Sequence, residues 1–319
     1  MKGKFCQSET MLINMIKSLK GTFLLLLTAF IWGTAFVFQR VGMDFIEPFT
    51  FNGVRNLVGA IALLPVIFLL SKLNISSKGE ESDNFSEYTY IPGGIACGVI
   101  LFAASSLQQI GLQYTSAGKA GFLTALYMVL VPIVQIFMRK YAGMKVWVSV
   151  IIATFGTYLL SVKEGFTIEN GDIYVILCAV VYTFHIIVID YFSPKADAVK
   201  MSCVQFLVCG IISMAVAFIF ETPTLGKVFD AIIPILYTGI MSSGVAYTLQ
   251  IIGQRMSPAP IACIVMSLES VFALLTGALF LSETMTLKES IGCLLVFTAV
   301  ILSQIDFKTT INFFKKRRN

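Results

Sequence analysis

The chain has 319 residues, of which 57% are hydrophobic and only 13% are charged, against about 25% charged residues in ordinary soluble domains. A soluble protein of this size needs far more polar surface to cover its apolar cores, so the composition excludes a soluble globular fold. Only α-helices and closed β-barrels satisfy their backbone hydrogen bonds in lipid. Because the apolar runs are long and do not alternate with polar residues, we expect an all-α integral membrane protein.

The net charge of +5 comes from 23 Lys and Arg residues against 18 Asp and Glu residues. The dense basic cluster at 315–318 is typical of a cytoplasmic membrane flank. Six of the seven cysteines lie within apolar runs, where Cys behaves as a small hydrophobic residue. Without C-x-x-C pairs, metal-ligand spacings or phosphate-binding motifs, the sequence predicts no metal, no cofactor and no nucleic-acid partner.

Ten segments are long and apolar enough to cross a bilayer. The first follows Lys17 and Lys20, and it lacks a small-x-small cleavage site, so we expect a retained helix and not a signal peptide. Gly118 and the pair Pro258/Pro260 mark the short turns between spans three and four and between spans eight and nine. The predicted spans are 22–38, 49–70, 90–112, 120–138, 146–162, 173–192, 201–220, 229–252, 259–281 and 290–305.

The basic residues outside the spans indicate the orientation. If both termini are cytoplasmic, 17 Lys and Arg residues lie on the inner side and five on the outer side. This bias favours an even number of spans in the cytoplasmic membrane with both ends inside. The longest loop, 71–89, is too small for a catalytic domain, so function is expected among the helices.

Short motifs recur at one offset. LQQIG at 107–111 and LQIIG at 249–253 are 142 residues apart, as are LLS at 159–161 and ILS at 301–303. Each pair falls at equivalent places in a scheme of five helices followed by five. Because five is odd, the second copy lies inverted in the membrane, which is a signature of transporters. The predicted units are an N-terminal segment 1–21, a first repeat 22–162, a linker 163–172, a second repeat 173–305 and a tail 306–319.

Several motifs occur in order along 24–303: IWGTAF at 31–36, Pro48, Arg55, GLQYTSAGKAGFLT at 111–124, LVP at 130–132, SLESVF at 267–272 and LSE at 281–283. With these motifs the chain resembles EamA-type members of the drug/metabolite transporter superfamily. The resemblance implies ten helices in two inverted repeats around a central cavity, and export or exchange of metabolites that include amino acids. Ser270 stands where that family often has proline, which predicts a straighter ninth helix.

Charges inside a span cost about 2.5–3.5 kcal/mol each, so the few that occur are candidate functional residues. Glu269, near the middle of span nine, is a candidate proton or cation site or a partner for a substrate amine. The alternative is a protonated Glu that bonds a neighbouring helix. His185, the single histidine, suits a proton relay or a neutral ring bonded to a backbone carbonyl.

Two basic residues lie towards the outer ends of their spans. Arg55 is placed to attract a carboxylate in the cavity, to reach outward, or to pair with Asp44 or Glu47. Lys119, at the start of span four, is a candidate for the cavity or for the interface with lipid headgroups.

The remaining candidates are polar or aromatic. Trp32 and Tyr182 occupy corresponding places in the two halves, and the resemblance implies that Trp32 lies at the cavity; packing between helices is the alternative. The repeat-related Gln108 and Gln250 are candidate gate residues or interfacial amides. Tyr127 and Tyr247 complete the set of expected substrate-binding residues.

These features favour a secondary transporter of small metabolites that works by alternating access, and specifically an exporter of amino acids or related compounds. A passive channel or facilitator is the main alternative. A membrane-embedded lipid-modifying enzyme is disfavoured because His185 and Asp190, five residues apart, point to different helix faces. We expect no enzymatic activity, a small-molecule substrate within a lipid bilayer, and either a monomer or a homodimer.

Overall fold

The computed structural model describes residues 2–73, 77–79, 81–161, 169–281 and 286–304. Within these ranges ten helices are long and apolar enough to cross a membrane, and no β-strand forms, which confirms the predicted all-α membrane fold. The predicted span ends at 162 and 305, Lys163, Ser282, Glu283 and the basic tail lie outside the described residues. The helices are α1 (Lys2–Gly42), α2 (Pro48–Lys72), α3 (Tyr90–Leu112), α4 (Ala117–Ala125 and Tyr127–Phe137), α5 (Met144–Ser161), α6 (Asn170–Phe192), α7 (Ala198–Phe220), α8 (Ile232–Arg255), α9 (Ala259–Met266 and Glu269–Leu281) and α10 (Leu287–Gln304).

Several helices begin earlier than the apolar runs because their N-caps are polar. The Ser116 hydroxyl accepts from the backbone N–H of Lys119 at the start of α4. The Asp197 carboxylate accepts from the N–H of Lys200 at the start of α7. Each cap satisfies a backbone donor that the first helical turn leaves free. Helices α4 and α7 therefore begin three residues before the predicted positions 120 and 201.

Helices α4 and α9 are both interrupted near their middles. α4 breaks at Leu126, and α9 breaks at 267–268. At the breaks the N–H groups of Leu126 and Leu268 bond to carbonyls three residues earlier, which tightens the turn. The expectation that Ser270 straightens α9 is therefore wrong, because this helix is interrupted without a proline at that position. Leu126 and Leu268 are 142 residues apart, the offset of the sequence motifs.

Two glycine contacts bring neighbouring helices together. Gly111 of α3 lies against α6, where an added Cβ would meet the Gly171 carbonyl oxygen at 2.9 Å. Gly253 of α8 lies against α1, where an added Cβ would meet the Gly21 carbonyl oxygen at 3.2 Å. Small residues allow such close approach of helix backbones, which is how helices associate in lipid.

The helices alternate in direction, so the connecting loops gather at two faces. The Glu47 face holds Glu47, Glu221 and Lys227, and the Arg255 face holds residues 77–79, 193–197 and Arg255. On the Glu47 face, the Glu221 carboxylate accepts from the backbone N–H groups of Phe49 and Thr50 at 2.8 and 2.7 Å. This carboxylate caps the start of α2 from another loop.

Glu47 forms an ion pair with Lys227 on the same face. Burial raises the pKa of Glu47, but the hydrogen bond from Lys227 and the backbone hydrogen bond outweigh it and hold the pKa below its ordinary value of 4.5. A lowered pKa means that the contact stabilises the fold above pH 4.5 and is lost as the pH falls through the lowered value.

We predict that Gly111→Ala destabilises the protein, because the new Cβ would lie 2.5 Å from Cγ2 of Val175 and 2.9 Å from the Gly171 oxygen. The expected loss is about 1–3 kcal/mol in the free energy of unfolding, measured by equilibrium unfolding in detergent. Gly118→Ala is the matched control, because no atom lies within 4 Å of its added Cβ. Equal stability of the two variants would contradict the close packing of α3 on α6.

Candidate functional site

A narrow cavity of about 30 Å³ lies among seven of the helices. Helices α1, α2, α3 and α4 line it from the first half of the chain, and α6, α8 and α9 from the second half. A space of this size holds about two water molecules, so a larger solute enters only when the lining helices move apart. The lining residues are Trp32, Phe36, Gln39, Arg55, Gln108, Thr124, Tyr127, Tyr182, Ile186, Ser242, Tyr247, Gln250 and Glu269.

Arg55 provides a buried positive charge at the cavity, and only 5% of its surface is exposed. Its Nε donates to Oδ1 of Asn52 at 3.1 Å, and its Nη1 donates to Oε1 of Gln39 at 2.9 Å. Neither of these partners carries a charge. The alternatives of outward reach and of pairing with Asp44 or Glu47 are wrong, since Asp44 pairs with Arg40 and Glu47 with Lys227.

A polar network holds Asn52 behind Arg55. The Asn52 amide nitrogen donates to the hydroxyl oxygens of Ser105 at 2.8 Å and Ser213 at 3.1 Å. Asn56 donates to Oδ1 of Asn52 at 3.1 Å. Helices α2, α3 and α7 thus share one buried network, and the guanidinium is held in one orientation.

Glu269 provides a carboxylate at the cavity, with 2% of its surface exposed. The Tyr127 hydroxyl donates to its Oε1 at 3.1 Å. Both residues directly follow a helix break, Tyr127 in α4 and Glu269 in α9. The position at the first turn of the second α9 segment is favourable for a negative charge. Among the described residues, no basic side chain pairs with Glu269.

Aromatic side chains form one wall of the cavity. The Trp32 and Tyr247 ring centroids are 4.7 Å apart, and the hydroxyl oxygens of Tyr182 and Tyr247 are 2.9 Å apart. Within the described part of the chain, Nε1 of Trp32 and Oε1 of Gln250 are buried and have no hydrogen-bond partner. Gln108 instead donates to the Thr124 hydroxyl at 3.1 Å. The cavity thus offers both a donor and an acceptor beside apolar rings.

His185 lies behind this wall and does not line the cavity. Its Nε2 lies 3.3 Å from Oε1 of Gln205, and its ring packs edge-on against Tyr182 and Tyr247. The expected backbone-carbonyl partner is therefore a side-chain amide.

Lys119 also lies away from the cavity lining. Its Nζ is 2.5 Å from the Asp172 carboxylate, which also accepts from Thr115 at 2.9 Å. The pair joins the start of α4 to the start of α6, so this lysine serves as a contact between helices.

The structure thus brings eight of the ten predicted residues together around one cavity. The lining residues absent from the prediction are Phe36, Gln39, Thr124, Ile186 and Ser242. Helical spacing alone indicates four of these: Phe36 and Gln39 follow Trp32 by four and seven residues, Ile186 follows Tyr182 by four, and Thr124 precedes Tyr127 by three. Ser242 lies five residues before Tyr247, and tertiary packing places it at the cavity.

The arrangement is suited to binding and carries no sign of covalent chemistry. Among the described residues, no group of His, Cys, Asp and Glu could hold a metal ion. A buried cation and a buried carboxylate that do not pair with each other can each hold an oppositely charged group of a ligand.

We predict that Glu269→Leu costs about 1–3 kcal/mol of stability, because it leaves the buried Tyr127 hydroxyl without its acceptor. Glu269→Gln keeps an acceptor oxygen and should lie close to the parent protein. Thermal unfolding in detergent measures both. If the Leu variant were as stable as the Gln variant, the hydrogen bond from Tyr127 would not contribute to the stability of the protein.

Comparisons with known proteins agree with this geometry. The model of the EamA-like transporter family matches residues 19–162 and again residues 169–304. An uncharacterized transporter of Archaeoglobus fulgidus is 31% identical over 288 residues, which cover 90% of this chain and 86% of that protein. The uncharacterized transporter YoaV of Bacillus subtilis is 22% identical over 283 residues, covering 87% and 94%.

One solved structure, titled only as the crystal structure of a protein, shares the fold. It aligns with a TM-score of 0.71 and 16% identity over 89% of this chain and 96% of that one. The family model, the transporter relatives and ten membrane-spanning helices among the described residues lead to the same conclusion. This chain is a membrane transporter that belongs to the EamA-like transporter family.

Proposed function

We propose that the protein is a secondary transporter that moves small metabolites across the cytoplasmic membrane by alternating access. The observation that carries this proposal is the cavity lined by both halves of the chain, with Arg55 and Glu269 buried at its wall. A binding site between two halves can open to one side and then to the other when the halves rock against each other.

An inverted repeat supports this mechanism. The family model matches two consecutive segments of the chain, each with five of the ten helices described. The breaks at Leu126 and Leu268 share the 142-residue offset, as do Gly111 and Gly253 at the close helix contacts. A five-helix unit followed by its copy must face the opposite way in the membrane. The units 22–162 and 173–305 are therefore our proposed repeats, and 163–172 is their linker.

The chemistry of the cavity supports amino acids or related metabolites as substrates. The Arg55 guanidinium suits a carboxylate, and the Glu269 carboxylate suits a protonated amine. The ring of Trp32 and its neighbour Tyr247 suit an apolar side chain. The other candidates at the cavity, Gln108 and Gln250, add amides for further hydrogen bonds. We assign His185 and Lys119 to contacts between helices and not to binding of the substrate.

Glu269 is also our proposed coupling site. A carboxylate buried in the protein core, with one hydroxyl donor and no basic partner among the described residues, is costly to hold charged. Exchange of a proton for a substrate amine at this one position would couple the two fluxes. The positive-inside bias supports cytoplasmic termini, and the family resemblance favours export.

Counterflow in liposomes tests this function. Liposomes that contain the purified protein are preloaded with single members of a panel of amino acids, nucleotides and sugars. They should accumulate the matching labelled solute, and the rate of uptake should saturate. A solute that moves without saturation or counterflow would indicate a passive channel. A complete panel without counterflow would contradict the proposed transport.

We predict that Glu269→Gln removes the pH dependence of counterflow and slows it by roughly tenfold or more. Glu289→Gln is the matched control, because Glu289 is also buried but bonds locally to Thr286 at the start of α10. Counterflow with an unchanged rate and pH profile in Glu269→Gln would exclude Glu269 as the coupling site.

A further inference from the structure

Arg255, at the end of α8, binds two loops at once. Its Nη1 donates to the carbonyl oxygens of Ser77 at 3.2 Å and Lys78 at 2.9 Å, in the loop between α2 and α3. Its Nη2 donates to the carbonyl oxygen of Ala196 at 3.2 Å, in the loop between α6 and α7. The planar fork of a guanidinium can satisfy three carbonyls, which the compact ammonium of lysine does less well.

The same two loops also bond directly to each other. The N–H of Gly79 donates to the Ala196 oxygen at 3.1 Å, and the N–H of Ala198 donates to the Ser77 oxygen at 3.2 Å. The Ser77 hydroxyl donates to Oδ1 of Asp197 at 2.6 Å. Gly79 is needed here, since any Cβ would lie within 1.9 Å of the Pro194 oxygen. We call Arg255 together with residues 77–79 and 194–198 the clasp.

The clasp lies next to the cavity. Arg255 follows the lining residue Gln250 by five residues, a rise of about 7.5 Å along the helix. One residue before Arg255, Gln254 donates through Nε2 to the carbonyl oxygen of Ile186, which also lines the cavity. The clasp therefore lies beyond the end of the cavity on the Arg255 face.

The opposite face carries a related contact of different chemistry. Glu47, in the loop between α1 and α2, pairs with Lys227 in the loop between α7 and α8. Asp197 of the clasp lies 150 residues after Glu47, and the two matches of the family model also begin 150 residues apart. One face is thus tied by an ion pair between side chains, and the other by a guanidinium bound to backbone carbonyls.

We propose that the clasp is a gate that closes the cavity on the Arg255 face and that Arg255 is its positioning residue. Release of the clasp then opens the cavity to that side. This inference rests on the proposed alternating-access function. When the guanidinium leaves the three carbonyls, the two loops lose their shared partner, and α7, which begins at Ala198 within the clasp, can separate from the end of α8. The Glu47–Lys227 pair holds the other face while the clasp is open.

Sided labelling tests the proposal without a substrate. Ser242→Cys places a thiol in the cavity, and a membrane-impermeant maleimide is added to intact cells or to inverted vesicles. Mass spectrometry of the peptide that contains position 242 separates this thiol from the native cysteines. Adding Arg255→Ala should raise labelling from the Arg255 face by roughly tenfold, since hydrogen bonds of a charged group are lost. Labelling from the Glu47 face should stay unchanged or fall.

Two further variants sharpen the outcome. Arg255→Lys keeps the charge and should give an intermediate rise; it also carries the test if the Ala variant fails to reach the membrane. Arg40→Ala is the matched control, because Arg40 is a half-buried arginine on the Glu47 face whose ion-pair partner among the described residues is Asp44. Unchanged labelling in both Arg255 variants, or an equal rise from both faces, would overturn the gate. A sided rise without counterflow for any solute would retain the gate and contradict the transport proposal alone.

Discussion

The hydrogen bond from Tyr127 to Glu269 joins the two interrupted helices at the centre of the protein. Polar groups in a bilayer must find partners within the protein, so a break in a membrane helix is tolerated only where it lies against other helices or a cavity. The breaks in α4 and α9 meet this condition together. Each break is followed at once by a polar residue, and these two residues bond to each other. The position of the cavity depends on this pairing.

The two charges of the cavity are distributed unequally between the proposed repeats. Helices α2 and α7 begin 150 residues apart, so Gln205 corresponds to Arg55. Helices α4 and α9 begin 142 residues apart, so Tyr127 corresponds to Glu269. Each repeat therefore contributes one charge, and its counterpart in the other repeat is neutral. Tyr127 bonds to Glu269, and Gln205 bonds to His185, so the neutral counterparts serve as partners within the core. A chain with this asymmetry can bind a ligand in one orientation although its scaffold is nearly symmetric.

Composition and charge predicted the ten helices because a bilayer demands long apolar runs and retains basic loops on one side. The starts of α4 and α7 were less well predicted, since Ser116 and Asp197 cap these helices outside the apolar runs. Inside the spans, the free-energy cost of a charged side chain in the bilayer is enough to indicate Glu269 and Arg55 as candidate cavity residues. Ser242 has an ordinary side chain for a membrane helix, so only the packed structure identifies it as a lining residue. Lys119 has the charge expected of a cavity residue. Its partner Asp172 lies 53 residues away, so the local sequence pattern does not indicate that the two residues pair.

The cavity between Arg55 and Glu269 is our proposed binding site for the transported solute. The chain has two tryptophans, and Trp147→Phe leaves Trp32 at the cavity as the only one. Titration of this variant with a solute that undergoes counterflow should give a saturable change in tryptophan emission. Trp32→Phe should abolish the change, and adding Arg55→Gln to Trp147→Phe should weaken the apparent affinity by roughly tenfold or more. A transported solute that leaves Trp32 emission unchanged and binds equally well without Arg55 would contradict binding at this cavity.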